Sequence, residues 1–149
     1  MINDDLFLQV ISSTPLISID LIIENSAGEI LLGKRLNRPA QGFWFVPGGR
    51  INKNELIADA FARISETEIG TALSINDAQL LGAYNHIYDD NYLGKEGINT
   101  HYVVLAYKIK LNKSLSIQTD EQHSELKWHS ISEILDSQQI HPNTQAYFN

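Results

Sequence analysis

A pair of glycines leads into a helical pattern that carries one carboxylate among its apolar residues. Asn54 is predicted to cap this helix, Glu55 to lie at its positive end and Gly70 to end it, because these residue types suit those positions. At about 100° per residue, Glu68 projects into an apolar arc formed by Leu56, Ile57, Ala60, Phe61 and Ile64. An unpaired buried carboxylate is costly, so Glu68 requires a cationic partner, unless the helix end frays and exposes it.

The residues around the glycines favour a compact anionic ligand. A turn at Gly48 and Gly49 allows backbone groups to approach a ligand closely, and Mg²⁺ commonly binds one or two carboxylates together with substrate phosphates. Arginine forms forked contacts with phosphate, and all the arginines of the chain lie between positions 35 and 63: Arg35, Arg38, Arg50 and Arg63. The pattern predicts a magnesium site for a phosphorylated ligand, with a solvated charge cluster as the alternative.

Composition limits the classes of protein to which the chain can belong. The 149 residues predict one domain, 1–149, that is large enough to bury a core without a structural metal. The absence of cysteine excludes a thiolate metal site, a disulfide and a cysteine nucleophile, and it suits a reducing cytoplasm. A net charge of −7 argues against nucleic acid and anionic membranes as partners. The acidic N-terminus and the lack of a long apolar run predict a soluble, uncleaved cytoplasmic protein.

Apolar periodicity and turn residues predict the elements that position these groups. Helices are predicted at 4–12 and 130–135, the second with a capping box. Strands are predicted at 16–23, 29–32, 43–46, 80–84, 102–109 and 125–128, with a long loop at 89–99, a connection at 111–119 and a polar loop at 120–123. Strands and helices alternate irregularly, which predicts an α/β sandwich with a mixed β-sheet and helices on both faces.

Two polar residues have two interpretations each. Asp20 shares a strand face with Ser18 and Ile22, so it points either into a cleft or to solvent. His123 has the residue type of a general base, since a histidine of pKa about 6.5 is largely neutral near pH 7. A solvated loop histidine is the interpretation that the sequence pattern alone favours.

The spacing of Gly49, Glu55, Arg63, Glu68 and Gly70 resembles the Nudix box, Gly-x5-Glu-x7-Arg-Glu-U-x-Glu-Glu-x-Gly-U, in which U is a bulky aliphatic residue. Two further glutamates of the box are replaced by Ile64 and Thr67, and its aliphatic positions by Ser65 and Thr71. The chain is similar in this respect to one Nudix subfamily, the GDP-mannose mannosyl hydrolases, in which water attacks the sugar carbon. The likeness runs from about residue 14 to the C-terminus, and is carried by residues 37–42, 44–50, 86–91, 100–105 and 120–123.

The resemblance implies a Nudix α/β/α sandwich, a role for each site residue and a homodimer. The ligands of Mg²⁺, for which Mn²⁺ can substitute, would be the Gly48 carbonyl, the Glu68 carboxylate and the Gln122 side-chain carbonyl. His123 would be the general base. Contacts to the diphosphate would come from Arg35, Arg50 and Tyr102, and contacts to the mannose from Asp20 and His86. The N-terminal helix, with Phe7, Val10 and Ile11, is a candidate dimer interface.

The implied reaction is hydrolysis of GDP-mannose to GDP and mannose with inversion at the anomeric carbon. Such a displacement passes through an oxocarbenium-like state and needs a base for water. The departing GDP is weakly basic, so a cation and the arginines can stabilise its charge without a proton donor. GDP-glucose remains an alternative substrate. A Nudix pyrophosphohydrolase that cleaves the P–O–P bridge, and a non-catalytic nucleotide-sugar-binding module, are the alternative functions.

Overall fold

A computed structural model describes the backbone of residues 3–111 and 123–149, and the side chains of these residues except 123 and 124. In chain order the elements are α1 (Asp4–Ser13), β1 (Leu16–Glu24), β2 (Ile30–Arg35), β3 (Trp44–Phe45), β4 (Gly48–Arg50), α2 (Ile57–Ile69), a 3₁₀ turn (Ile75–Asp77), β5 (Ala78–Tyr88), β6 (Thr100–Lys110), β7 (His123–His129), α3 (Ile131–Asp136), α4 (Pro142–Gln145) and a second 3₁₀ turn (Ala146–Phe148). Nearly all of the predicted connection at 111–119, and the predicted ligand Gln122, lie outside the described residues.

The described strands form one mixed seven-stranded sheet. Five strands follow the order β3-β2-β1-β6-β5, while β4 pairs with β1 and β7 pairs with β2. The strands β1 and β6 run parallel from Leu16 beside Tyr102 to Glu24 beside Lys110, and the other pairs are antiparallel. The strong β-branched content of β1 suits this central position, where both faces are covered.

Helices cover both faces of the sheet, as the sequence pattern predicts. On one face, Ile19, Leu21 and Ile23 of β1 are buried against Phe61 and Ile64 of α2. On the other face, Ile22 belongs to a second cluster that includes α3 and the segment after it, through Ile134 and Ile140. The alternation of β1 therefore separates two cores, and Asp20 lies on the side of the C-terminal segment.

The start of α2 differs from the prediction. The helix begins at Ile57, its N-cap residue is Leu56 without a side-chain cap bond, and Asn54 adopts a left-handed φ of 67°. Leu56 and Ile57 are 70% and 44% exposed, so they do not belong to the buried arc. Asn tolerates the left-handed conformation better than most residues, which allows a turn before the helix instead of a cap.

Glu55 explains this late start. Its carboxylate accepts the backbone N–H of Asn52 at 3.1 Å, and it binds Arg63 through Nε at 2.7 Å and Nη2 at 2.9 Å. The carboxylate thus closes a turn before α2 and binds an arginine of that helix. The C-terminal end is as predicted, because Gly70 caps α2 in the left-handed conformation with φ 78°.

Two further segments refine the sequence-based predictions. The glycine loop is a short strand, β4, whose Gly48 and Gly49 pair with β1. The helix α1 forms as predicted, but Ile11 is buried within the chain and Phe7 packs on Arg50, so these side chains already have intramolecular contacts. Among the described residues, the helices include no candidate for a membrane span.

Candidate active site

A cavity of about 140 Å³, called the central cavity below, is lined by strands of the sheet together with α1 and α2. It brings together residues that are distant in the sequence. The predicted site residues that line it are Asp20, Arg35, Gly48, Arg50, Glu68, His86 and Tyr102. Every predicted site residue whose side chain the structure describes therefore lines this one cavity. The two remaining members are Gln122 and His123.

Asp20 points into the central cavity and not to bulk solvent. The strand β1 places it beside Gly48 of β4, where a Cβ atom on Gly48 would lie 2.5 Å from the Asp20 Oδ1 atom. Its other oxygen, Oδ2, accepts a 2.6 Å hydrogen bond from the Tyr147 hydroxyl. Burial raises the pKa of Asp20 to about 6, although the Tyr147 bond and the Arg35 charge oppose that rise.

His86 lies on the neighbouring wall, buried on β5 beside Tyr102 of β6. Its Nε2 atom is 3.4 Å from the Tyr147 hydroxyl. Burial lowers the pKa of His86 to about 4, and the charges of His141 and Arg35 contribute to the decrease. His86 is therefore neutral near pH 7, so it can exchange hydrogen bonds with a polar ligand without carrying charge.

Arg35 is held by aromatic and backbone contacts. Its guanidinium lies 4.3 Å from the centre of the Phe45 ring and 5.8 Å from that of Tyr88, and Nη1 donates to the Pro39 carbonyl at 2.9 Å. A guanidinium on an aromatic face has lost part of its hydration. It is therefore well prepared to bind an anion in the cavity.

Arg50 is the second arginine of the central cavity. Its guanidinium lies 4.4 Å from the centre of the Phe7 ring of α1, and its backbone carbonyl accepts a 2.8 Å hydrogen bond from Arg63 Nη2. The pair of Arg63 with Glu55 thus supports the strand that carries Arg50. With Arg35 on β2, the cavity has positive charge from two strands, which suits a diphosphate.

Two tyrosines also line the central cavity. Burial raises the pKa of Tyr102 and of Tyr88, against the opposing effect of the Arg35 charge. Both hydroxyls therefore stay protonated near neutral pH and can donate a hydrogen bond to an anionic ligand. Tyr102 is a predicted site residue, whereas Tyr88 is an addition from the structure.

Glu68 is buried on α2, with 2% of its surface exposed, so the helix end does not fray to bring it to water. It lines the central cavity together with Gly48. It also lines a neighbouring hollow of about 200 Å³, which Ile64, Thr67 and Arg63 border as well. Glu68 is the one carboxylate among the described residues of that hollow.

This donor set fits a magnesium ion. A carboxylate and a backbone carbonyl at the edge of a cavity are hard oxygen ligands, which Mg²⁺ prefers. The described residues hold no cluster of three or more histidine, cysteine, aspartate or glutamate side chains suited to a metal. A cation at Glu68 would therefore depend on oxygen atoms from the backbone, from a bound phosphate or from residues such as Gln122.

The residues that replace the other glutamates of the box have different environments. Ile64 is 1% exposed and belongs to the core between α2 and β1, where its side chain faces Gly49. Thr67 is exposed and lines the hollow beside Glu68. The first position has become part of the core, and the second offers a short hydroxyl side chain at the hollow.

His123 begins strand β7 and its Cα is in register with that of Arg35. The prediction that it belongs to a polar loop is therefore wrong at this residue, because the pairing with β2 extends to it. The register brings its backbone next to a strand that contributes Arg35 to the central cavity. Its role as a base stays a prediction.

Several residues of the site were not predicted. Tyr147 and His141 lie in the C-terminal segment, where no spacing pattern marks them. His141 stacks on Phe45 with ring centres 4.8 Å apart, and burial together with the Arg35 charge lowers its pKa to about 4. Phe7, which the sequence analysis assigns to a candidate dimer interface, also lines the cavity, and its role in a dimer stays a prediction. Only the aromatic residue types could have suggested these contacts.

The fold and the box helix define the class of protein. Residues 14–148 match the model of the NUDIX domain family, and the chain belongs to that family. The central cavity thus lies at the box of a Nudix hydrolase.

Known proteins resemble the chain along most of its length. The low-salt glycan biosynthesis protein Agl8 of Haloferax volcanii is 40% identical over 127 residues, which are 85% of this chain and 78% of that protein. The MutT NUDIX hydrolase from Burkholderia pseudomallei has 26% identity and a TM-score of 0.73, over 91% of this chain and 97% of that one. The NUDIX domain of Shewanella oneidensis NrtR, solved with ADP ribose, shares the fold at 15% identity and a TM-score of 0.69, over 99% and 95% of the two chains.

Proposed function

We propose that the protein is a Mg²⁺-dependent hydrolase of GDP-mannose, which releases GDP and mannose by attack of water at the anomeric carbon with inversion. One observation carries the proposal. Glu68 is the box carboxylate that remains beside the central cavity. At the two positions where the box has further glutamates, this chain has Ile64, which is buried in the core, and Thr67, which lines the hollow with a hydroxyl side chain. Activation of water at phosphorus in the usual box relies on the carboxylates that are missing here.

The two arginines would hold the diphosphate. Arg35 and Arg50 line the same cavity, and each guanidinium lies over an aromatic ring that restricts it. Forked hydrogen bonds from such groups become stronger as negative charge develops on a departing phosphate. Tyr102 would add a neutral donor. Developing charge on GDP is thus stabilised by this chain's own donors.

Glu68, the Gly48 carbonyl and Gln122 would hold the magnesium ion, with Mn²⁺ as a substitute. When bound, the ion supplies Lewis-acid stabilisation of the diphosphate. The proposed role of the Gly48 carbonyl as a metal ligand is supported by the lack of a side chain at this residue. A Cβ atom there would fill the space beside Asp20 at the cavity.

Asp20 and His86 would bind and orient the sugar. A carboxylate accepts hydrogen bonds from sugar hydroxyls, and a neutral imidazole can accept or donate one. His123 would accept the proton of the attacking water, since a neutral imidazole can act as a general base. This assignment of His123 rests on the family resemblance.

The products of hydrolysis in ¹⁸O-water test the proposal directly. We expect GDP without label, mannose with label, and the β anomer as the first sugar signal by NMR. Release of GMP and mannose 1-phosphate would show a pyrophosphohydrolase, and binding of GDP-mannose without any Mg²⁺-dependent turnover would show a non-catalytic module. GDP-glucose, assayed in parallel, measures the preference for the sugar. The variant Glu68→Gln is the matched control, because it keeps the size of the side chain and removes the charge.

The proposal includes a homodimer, which the family resemblance suggests. Light scattering after size-exclusion chromatography would measure it. A monomer at working concentration would remove the homodimer from the proposal without affecting the reaction.

A further inference from the structure

We propose that Tyr147 is a positioning residue of the site: its hydroxyl fixes the carboxylate of Asp20 and sets which nitrogen of His86 carries the proton. This inference rests on the proposed function for the sugar-binding role of those two residues. The hydroxyl lies between them, 2.6 Å from Asp20 Oδ2 and 3.4 Å from His86 Nε2. It joins a residue of β1 to one of β5 across the central cavity.

The direction of the hydrogen bonds follows from the number of hydrogens that each of the three groups can donate. An ionised carboxylate can only accept, so the single hydrogen of the Tyr147 hydroxyl is donated to Asp20. The hydroxyl oxygen can then only accept from His86, which requires hydrogen on Nε2. In a neutral imidazole the other nitrogen, Nδ1, is then the acceptor. Tyr147 thereby specifies a His86 that can accept a hydrogen bond from a ligand hydroxyl.

The Tyr147 hydroxyl holds one of the two carboxylate oxygens of Asp20. Oδ2 is bound by Tyr147, whereas Oδ1 faces the backbone of Gly48, whose lack of a side chain leaves room for it, since a Cβ atom there would be 2.5 Å away. Charge-assisted bonds of this length are strong and directional. Removal of the hydroxyl would release one side of the carboxylate and leave its rotation free.

The C-terminal segment is well anchored, so it can hold the hydroxyl in place. Gln145 donates through Nε2 to the carbonyls of Ile134 and Ser137, both at 2.9 Å, and Thr144 is buried. The ring of Tyr147 also packs edge-on against Tyr84, with ring centres 5.0 Å apart. These contacts place the hydroxyl before a ligand binds, which is the condition for preorganisation.

The variant Tyr147→Phe removes the hydroxyl and keeps the ring. We expect kcat/KM for GDP-mannose to fall about 10-fold to 100-fold, the range for one hydrogen bond to a charged group. The Kd for GDP with Mg²⁺ should stay unchanged, because GDP lacks the sugar and is held by the arginines. The matched control Tyr84→Phe removes a hydroxyl from the adjacent ring and should leave both values unchanged. Weaker GDP binding in Tyr147→Phe would indicate a general structural role and overturn the proposal.

A measurement on the ligand-free wild-type protein tests the proton arrangement without relying on any activity. The ¹⁵N chemical shifts of His86 at neutral pH should show a protonated Nε2 and an unprotonated Nδ1. In Tyr147→Phe the second tautomer should become populated. A wild-type protein with the proton on Nδ1 would overturn the proposal even if the variant fails to fold. If GDP-mannose is not hydrolysed at all, the proposed function fails, and these ¹⁵N shifts still decide the tautomer.

Discussion

Gly48 and Asp20 lie side by side on antiparallel strands, so close that a Cβ atom on Gly48 would be 2.5 Å from the Asp20 Oδ1 atom and 2.7 Å from the Ile19 carbonyl oxygen. No real Cβ atom is accommodated at such distances without a shift of the backbone. The residue after it differs, since the nearest atoms to a Cβ on Gly49 would be those of the Ile64 side chain, at 3.0 Å and beyond. The two adjacent glycines therefore have different reasons for lacking a side chain.

The variant Gly48→Ala is expected to lower the free energy of unfolding by about 1–3 kcal/mol, the range for overpacking, and to weaken Mg²⁺-dependent ligand binding. The matched variant Gly49→Ala should have the smaller effect on binding, because the Ile64 side chain can adjust. Urea unfolding and calorimetric titration of GDP with Mg²⁺ measure the two effects. Equal losses of binding in both variants would contradict the distinction.

Arg63 is expected to contribute to the site through Arg50. It binds Glu55 with two hydrogen bonds and also donates to the Arg50 carbonyl. The variant Glu55→Gln should lower the free energy of unfolding by about 1 kcal/mol or less, since the pair is partly exposed and screened.

The variant Arg63→Ala removes the bond to Arg50 as well, so it should destabilise more and also reduce affinity for GDP. Denaturant midpoints and GDP titrations on both variants are the measurements. If Glu55→Gln reduces GDP affinity as much as Arg63→Ala does, the bond to the Arg50 carbonyl has no separate role.

Periodicity predicted Glu68 correctly because a helix fixes the direction of each side chain from its position alone. The same periodicity failed at Leu56 and Ile57, which lie before or at the start of the real helix. The start was displaced because Glu55 binds Arg63, eight residues further along. A competition between a cap and an ion pair cannot be read from the apolar pattern.

Strand alternation left two interpretations for Asp20, and a contact from the far end of the chain distinguishes them. Tyr147, which donates to Asp20, lies 127 residues away. Local patterns predict elements and the faces of those elements, and the family resemblance adds candidate residues. Tyr147 and His141, which contact residues of the cavity wall, come from tertiary packing of a short C-terminal segment that has no periodic signal.

His86, which is buried, and His141, which is half-buried, are expected to make stability fall in mild acid. The pKa values of His86 and His141 are lowered from 6.5 to about 4 by burial. Between these values the unfolded chain binds more protons than the folded one, so stability decreases as pH falls from about 6.5 to 4. Asp20 acts in the opposite direction, since burial raises its pKa from 3.8 to about 6. The decrease in stability from the two histidines is larger than the increase from Asp20, so the net effect of acid is a loss of stability.

The net loss from these three groups is expected to be at most about 3 kcal/mol across that range, from about 1.4 kcal/mol per pKa unit for each group. Urea unfolding at a series of pH values measures it. The variant His141→Gln should reduce the slope of stability against pH between 6.5 and 4 and leave Asp20 in place. A slope that is the same in the variant and the wild type would refute the role of His141.

The two lost box carboxylates should respond differently when they are restored. Thr67 is exposed and lies beside Glu68 on the hollow, so Thr67→Glu adds an oxygen ligand where a cation can reach it. We expect tighter binding of Mn²⁺, measured by electron paramagnetic resonance, with a change in the free energy of unfolding of about 0.5 kcal/mol or less.

Ile64 is 1% exposed among apolar residues, and Ile64→Glu should destabilise the fold by several kcal/mol (about 3 or more), as a buried charge without a partner does. Unchanged Mn²⁺ affinity in Thr67→Glu would show that the hollow beside Glu68 does not bind the metal. A stable Ile64→Glu variant would show instead that a glutamate at position 64 can point its carboxylate into the hollow. Burial in the core would then not explain why isoleucine replaces glutamate at this position of the box.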